Sequence, residues 1–377
     1  MSDDIDEVKR LVEEDRLIAQ RREALSKKDL VLREHKVDLE LNTLTKNQSE
    51  LEQAKSVGFG RMTAESIENL VISNDEYMEA AKNAMRFINE EFDGAVPYFR
   101  KNLIVIGGDT GDGKSTTVAN VVFNTIAGQN PATGKSCRVL VLSNEEAPED
   151  FYNRITCFIK GWKYANHDQF TDEQRQTFKE YIPILAKDGR LTVIGDTYEG
   201  VPGWTTTVEG IETIFNNLIR DEVYYDAVII DYYQNVNKSK VDPKLVNWQC
   251  QEKLCALLDQ LKVKYPAPII VMAQMKRLVG EDDTTPFNIR LKGSKELFTK
   301  ATFVCELIPE RKLLRSKWTV WKSRFTESVG NSIYTGFDKG KYVPWSIAFQ
   351  EKVAKLVEAN LVKEKEEELE PIKGVKK

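Results

Sequence analysis

From Asn102 to about Trp345 the chain alternates short apolar runs with stretches of helical periodicity. The runs fall at 103–107, 139–142, 191–194, 227–231, 268–273, 302–308 and 317–322, and most are rich in Val and Ile. Continuous hydrophobicity over so few residues predicts strands covered on both faces, and the helices between them supply the cover. The expected fold is α/β, a mainly parallel sheet flanked by helices.

The pattern changes on either side. Residues 1 to about 57 contain neither Gly nor Pro and are dense in charge. Leu11, Ile18, Leu25, Leu32 and Leu39 recur every seven residues, but Asp15, Arg22, Asp29 and Lys36 stand where a companion stripe would lie. This predicts an all-helical arm, either solvated or held in a coiled-coil or collar contact. Val57-Gly58-Phe59-Gly60 interrupts it. A second helical segment follows from about Thr63 to Asn89, in the place of a linker, and Gly94-Ala95-Val96-Pro97 leads into the first core strand. The expected division is a charged arm over 1–60, a linker helix over 61–95, a core over 96–350 and a charged tail over 351–377. The tail begins as a short helix and ends in a solvated run of Lys and Glu.

Composition narrows the class. Hydrophobic residues make up 41% and charged residues 30%, which fits a globular core with a charged appendage. A net charge of −5 argues against a uniformly basic nucleic-acid coat but leaves room for a local basic channel. No apolar run approaches the roughly 18–20 residues that span a bilayer, and the acidic N-terminus is unlike a signal peptide. No membrane association is expected, and the location expected is the cytoplasm, bacterial or of an infected host. Five cysteines without a C-x-x-C pair read as thiols of a reducing compartment. His35 and His167 are the only histidines, too few for a His-based metal site or triad.

The chemistry starts at Gly108-Asp109-Thr110-Gly111-Asp112-Gly113-Lys114-Ser115, a complete G-x-x-x-x-G-K-[ST] phosphate loop. It follows an apolar run and precedes a helix-like stretch, Thr116 to Ala127, the strand–loop–helix context the motif requires. Residues 108–116 are the expected phosphate ligands, through backbone N–H groups and a helix N-terminus. Lys114 is expected to reach the β- and γ-phosphates of ATP, and Ser115 to hold Mg²⁺. Val228-Ile229-Ile230-Asp231 is an apolar run ending in an acid, and Asp231 is the second expected magnesium residue. Such an acid can also cap the element that follows. Val139 to Leu142 leads into Ser143-Asn144-Glu145-Glu146, acids placed to polarise water on a strand expected next to the phosphate loop. They can equally open a helix at 148–160. Ile269 to Ala273 ends in Gln274, a candidate γ-phosphate sensor.

These segments resemble the RecA-type core of DnaB-like replicative helicases, the ring-forming hexameric class of superfamily 4. Ser143 to Glu146 with Arg154 is similar to that family's S-x-E segment. Ile230-Asp231-Tyr232-Tyr233-Gln234 is similar to its I-D-Y-x-Q segment, and Ala273 to Arg277 to its S-Q-x-x-R. Asn288-Ile289-Arg290-Leu291-Lys292-Gly293-Ser294 resembles its pore loop. Lys322-Ser323-Arg324 resembles its K-x-R, followed by Gly330 and Tyr342 in the last strands. The resemblance covers roughly residues 94–345. It implies that Glu145 is the catalytic base and that Lys322 and Arg324 enter the neighbouring subunit's ATP site, Arg324 as the arginine finger. It implies that Arg290 and Gly293 meet single-stranded DNA, and that the core assembles as a homo-hexamer moving 5′ to 3′; Lys292, between them, is a further candidate DNA contact. Lys238, Lys240 and Lys244, in the loop after Asp231, form a second candidate DNA contact, or are ordinary solvated lysines.

The chain also departs from the family. Leu291 and Lys292 replace the usual Glu and Ser, and the interval from Arg324 to Gly330 is one residue longer. The region before the core is short and unlike the usual collar, and no zinc-binding or primase module precedes it. The N-terminal arm is left as the place for any loader or primase contact, in a compact helicase of viral or mobile-element type. The reading expected is an ATP-driven hexameric helicase. Two others remain: a RecA-core ATPase of recombination-mediator or clock type, and a nucleotide-gated scaffold.

Overall fold

The structure, a computed structural model, describes residues 86–96, 102–130, 133–162, 169–187, 189–197, 201–276, 287–293, 295–324, 326–338 and 340–357. The expected heptad arm, the linker helix before residue 86, Arg277, Ser294 and the tail beyond 357 lie outside them. The chain divides into residues 76–345 and a second unit of 1–75 with 346–377. Of the second unit only residues 346–357 are described, and 347–357 form a helix.

Among its described residues the larger unit has nine strands: β1 (Leu103–Gly108), β2 (Val139–Ser143), β3 (Leu191–Ile194), β4 (Ala227–Asp231), β5 (Ile269–Gln274), β6 (Phe303–Glu310), β7 (Arg315–Ser323), β8 (Ser332–Asp338) and β9 (Lys341–Pro344). They form one sheet in the order β3-β2-β4-β5-β1-β6-β7-β8-β9. The pairs from β3 through β6 are parallel. The pairs from β6 to β9 are antiparallel. Each expected strand is present within two residues of its expected ends. The sheet is thus mostly parallel, as expected, with an antiparallel wing.

The helices are α1 (Glu90–Asp93), α2 (Lys114–Ile126), α3 (Pro148–Lys160), α4 (Asp172–Lys187), α5 (Val208–Arg220), α6 (Asn247–Lys264), α7 (Phe287–Arg290) and α8 (Glu296–Lys300). Strands β1, β2 and β4 are buried throughout. Their alternate residues divide between two cores: Ile104 and Ile106 face Val118 and Val122 of α2, whereas Leu103 and Val105 share the other core with Leu254 and Leu258 of α6. Covering both faces removes the alternation of a half-exposed strand, which explains the continuous apolar runs.

Residues 86–89, expected to end a linker helix, form no helix. Phe87, Ile88 and Phe92 are buried instead. Phe87 stacks on Phe92, which meets the Trp318 ring edge-on at 4.7 Å. Asp93 accepts the N–H groups of Phe87 and Ile88, both at 3.0 Å, and pins the segment to its own turn. These residues therefore belong to the core and not to a tether.

One packing contact links the phosphate-loop strand to α7. A Cβ on Gly107 would lie 2.3 Å from a Phe287 ring carbon and 2.9 Å from the Met275 sulfur. Both side chains are buried. Gly107→Ala is expected to lower the unfolding free energy by about 1–3 kcal/mol, the usual penalty for overpacking. Urea denaturation of the purified protein measures it, and an unchanged midpoint would mean that the Phe287 ring moves freely.

Candidate active site

The carboxyl ends of β2, β4, β5 and β1 stand side by side. Ser143 is level with Asp231, and Gln274 with Gly108. The phosphate loop leaves β1 there and becomes α2 at Gly113. Gly111 and Gly113 have φ of 85° and 93°, the left-handed region that other residues rarely enter. Asp112 accepts the Asp109 N–H at 2.7 Å and folds the loop onto itself. Lys114 Nζ donates to the carbonyls of Gly108 (3.2 Å) and Asp109 (2.8 Å), which holds the ammonium inside the loop. Burial lowers the Lys114 pKa, and Asp112, Glu145, Asp231 and Asp109 oppose that shift. The N–H groups of the first turn of α2 have no intrahelical acceptor, so this end of the helix favours an anion. Gln274 Nε2 donates to the Thr110 hydroxyl, which brings the expected sensor onto the phosphate loop.

Asp231 is buried, and its Oδ1 has no hydrogen-bond partner among the described residues. Burial pushes its pKa up to about 7, reinforced by Glu145 and Glu146. An orphaned carboxylate oxygen amid acids is a fit for a divalent cation. Mg²⁺ commonly takes one or two carboxylates and completes its shell with phosphate oxygens and water. Protons compete for that oxygen. The Mg²⁺ concentration needed for half-maximal nucleotide hydrolysis is expected to rise as pH falls through about 7. The slope should approach about tenfold per pH unit on the acid side, since the ligand must be deprotonated. A Mg²⁺ titration at several pH values checks it, and a flat dependence would remove Asp231 from the metal site.

The expectation that β2 is the strand next to the phosphate loop is corrected: β5 and β4 stand between β2 and β1. Glu145 still acts on the charge of both Lys114 and Asp231. The neighbouring acid is committed elsewhere, because Arg154 of α3 binds both carboxylate oxygens of Glu146. Glu145 is exposed. Asn144 locks the tip of β4 to β2: Asn144 Oδ1 accepts the Tyr232 N–H at 2.8 Å, and Nδ2 donates to the Tyr232 carbonyl at 3.0 Å.

A cavity of about 370 Å³ adjoins the loop, with Gly113 and Thr116 on one side and Arg311, Leu314, Phe337 and Tyr342 on the other. Its volume lies within the usual range for a small-molecule site. Arg311 Nη2 donates to the Gly111 carbonyl at 2.6 Å, and Tyr342 bonds the Thr117 hydroxyl at 3.0 Å.

Lys322 and Arg324 are elsewhere. Lys322 pairs with Val304, and Phe303 lies beside Ile104. The Arg324 N–H donates to Thr302 at 3.1 Å. Both cations therefore sit at the amino end of β1, whereas the phosphate loop leaves its carboxyl end. At about 3.3 Å per residue the two ends are roughly 15–20 Å apart. Lys322 Nζ donates to the carbonyls of Phe298 (2.8 Å) and Thr299 (2.7 Å) at the end of α8, and Arg324 reaches Thr299 at 3.4 Å. Burial, with Arg324 and Lys262 adding repulsion, draws the Lys322 pKa down to about 8.

The candidate DNA residues divide. The expectation that Arg290 is presented to phosphate is corrected. Its guanidinium forms a doubly bonded pair with Glu306 of β6, and Trp321 Nε1 donates to the same carboxylate at 2.9 Å. A buried acid in an apolar strand needs such a partner. Gly293 has φ 97°, and a Cβ there would lie 2.2 Å from Gln251 Oε1. Lys292 is docked through its backbone, its N–H on the Gln274 carbonyl at 3.1 Å. Lys238 and Lys240 are exposed, in a loop that Glu209 of α5 holds by accepting the Lys240 N–H at 3.0 Å. Val241, Val246 and Trp248 are also exposed there, apolar groups among lysines that the sequence reading passed over. The signal was available, since Trp248 lies four residues after Lys244.

The model of the DnaB-like helicase C-terminal domain matches residues 87–353. The chain belongs to this family. The start of the match agrees with the burial of Phe87 and Ile88 in the core. No curated protein matches the sequence. Among solved structures, an ATPase domain aligns with a TM-score of 0.55 at 15% identity, covering 74% of this chain and 99% of that one. A DnaB-like replicative helicase, described with its interactions with primase, aligns with a TM-score of 0.54 at 16% identity, over 86% of this chain and 76% of that one. These likenesses show a shared RecA-like fold. Among the described residues no helix is long and apolar enough to cross a membrane.

Proposed function

We propose that this member of the DnaB-like family is an ATP-driven translocase on single-stranded DNA that assembles as a homo-hexameric ring and unwinds duplex DNA during replication. The separation of Arg324 from its own phosphate loop carries this reading: a cation so placed can serve a nucleotide only on an adjacent copy. Lys114 and the loop amides would hold the phosphates, and the cavity beside Gly113 would take the nucleoside. Ser115 and Asp231 would hold Mg²⁺, which when bound neutralises phosphate charge. Glu145 would orient and deprotonate the attacking water, and Gln274 would report the γ-phosphate. Lys322 and Arg324 would reach the next copy's site. Gly293, Lys292, Lys238 and Lys240 would line the path of the strand, with Trp248 as a surface on which a base can stack. A loader or primase would meet the N-terminal arm, and no membrane is involved.

The test is nucleotide hydrolysis with and without single-stranded DNA, together with strand displacement on a forked duplex. Stimulated hydrolysis with displacement supports the reading. Hydrolysis that responds to DNA without displacement would favour a non-helicase RecA-core ATPase. Slow hydrolysis indifferent to DNA would favour a nucleotide-gated scaffold.

A further inference from the structure

Gln234 has no part in the chemistry above, yet its side chain stands where the elements of the site converge. It lies three residues after Asp231, in the turn that leaves β4. Its Oε1 accepts the Gln274 N–H at 2.8 Å. Its Nε2 donates to the Gln274 carbonyl at 3.1 Å and to the Lys292 carbonyl at 2.6 Å. Both donors and one acceptor position of the carboxamide are used, and every partner is a main-chain group. Such bonds fix backbone position whatever the neighbouring side chains are. The α6 residue Gln251 supports the turn, its Nε2 donating to the Gln234 carbonyl at 3.4 Å while its Oε1 lies against Gly293.

What Gln234 joins gives it meaning. Gln274 touches the phosphate loop through Thr110. Lys292 precedes Gly293 and the short α8, whose last carbonyls hold Lys322 and Arg324. Asn144 makes the equivalent two-way clamp one step earlier, between β2 and β4. The two amides form successive cross-links from β2 to β4, from β4 to β5, and from β5 to the loop carrying Gly293.

We propose that Gln234 is the positioning residue that couples nucleotide binding at the phosphate loop to single-stranded DNA binding at residues 287–293. The inference rests on the translocase reading and adds the side chain through which the two sites communicate. A glutamate here would keep the acceptor, lose both donors and set a charge against two carbonyl oxygens. A leucine would lose all three bonds without adding charge.

Coupling is read as the factor by which one ligand changes the affinity for the other. The experiment uses the full chain, a fluorescent oligo-dT probe and a non-hydrolysable ATP analogue with Mg²⁺, followed by anisotropy. In the wild-type protein the analogue is expected to change the oligo-dT Kd by at least about fivefold, the lower end of ordinary coupling. In Gln234→Glu and Gln234→Leu that factor should fall to nearly one. A merely structural role would shift both Kd values together and keep the factor, and that result in folded variants would overturn the proposal. A measurement on the wild type needs no variant: the analogue, without DNA, should slow amide hydrogen exchange across residues 287–293, and unchanged exchange would overturn the proposal as well. A wild-type protein that unwinds a fork but shows a factor of one overturns the joint alone. One that binds no oligo-dT in either state overturns the translocase reading and the joint with it.

Discussion

Arg324→Ala is expected to leave nucleotide affinity within about twofold of wild type while turnover falls by about 10³-fold or more, the scale on which a trans-acting arginine stabilises a transferring phosphoryl group. The two effects separate because Arg324 lies at the opposite end of the sheet from its own phosphate loop. The one hydrogen bond of its side chain among the described residues goes to Thr299 at 3.4 Å, so its loss should leave the fold intact. Isothermal titration with a non-hydrolysable analogue and steady-state hydrolysis supply the two numbers. Mixing with Lys114→Ala protein decides whether the arginine acts across an interface. Each variant lacks what the other supplies, and in an even mixture about a quarter of head-to-tail interfaces join two intact halves. Activity should therefore return on mixing two inactive preparations. Full turnover by Arg324→Ala protein on its own would remove the finger role.

Glu145→Gln is the second large effect. Turnover should fall by about 10²–10⁴-fold, the usual contribution of a positioned general base, with nucleotide binding retained. The choice between adjacent acids comes from the resemblance and is supported by Arg154, which occupies both oxygens of Glu146 and leaves Glu145 toward solvent. Glu146→Gln should instead loosen the start of α3 and cost turnover far less. Rates for the two variants under saturating DNA check the assignment. A deeper loss at Glu146 would reverse it.

The parallel strands were legible because both faces of each are buried, so their residues read as unbroken apolar runs. The phosphate loop was legible because its motif is contiguous. What escaped depended on partners distant in sequence. Residues 332–344 show no strand by pattern, since much of the surface of β8 and β9 is only half-buried and their residues form no unbroken apolar run. Phe87, Ile88 and Phe92 fall in the stretch expected as a linker from its place before the first core strand, and their partner Trp318 lies far along the chain. The resemblance places Arg290 at DNA because the motif is local, while the carboxylate that pairs with it lies sixteen residues on, in β6. The clue was Glu306 itself, one acid inside Phe303-Val304-Cys305-Glu306-Leu307, which must be neutralised where it is buried. The I-D-Y-x-Q resemblance marks Gln234 but not its partners, since a side chain that binds only main-chain groups requires no particular residue opposite.

The antiparallel return of β7 has an arithmetical outcome. Because it carries Arg324 away from the phosphate loop of its own copy, each molecule would, on the proposed trans-acting role, bring a donor half and an acceptor half on different sides. A row of copies with free ends leaves one half unmatched at each end, and so has one working station fewer than it has members. Only closure into a circle makes the tally even. Specific activity measured against particle geometry would thus register the joining of the last seam as a step, even when every molecule is already bound to a neighbour.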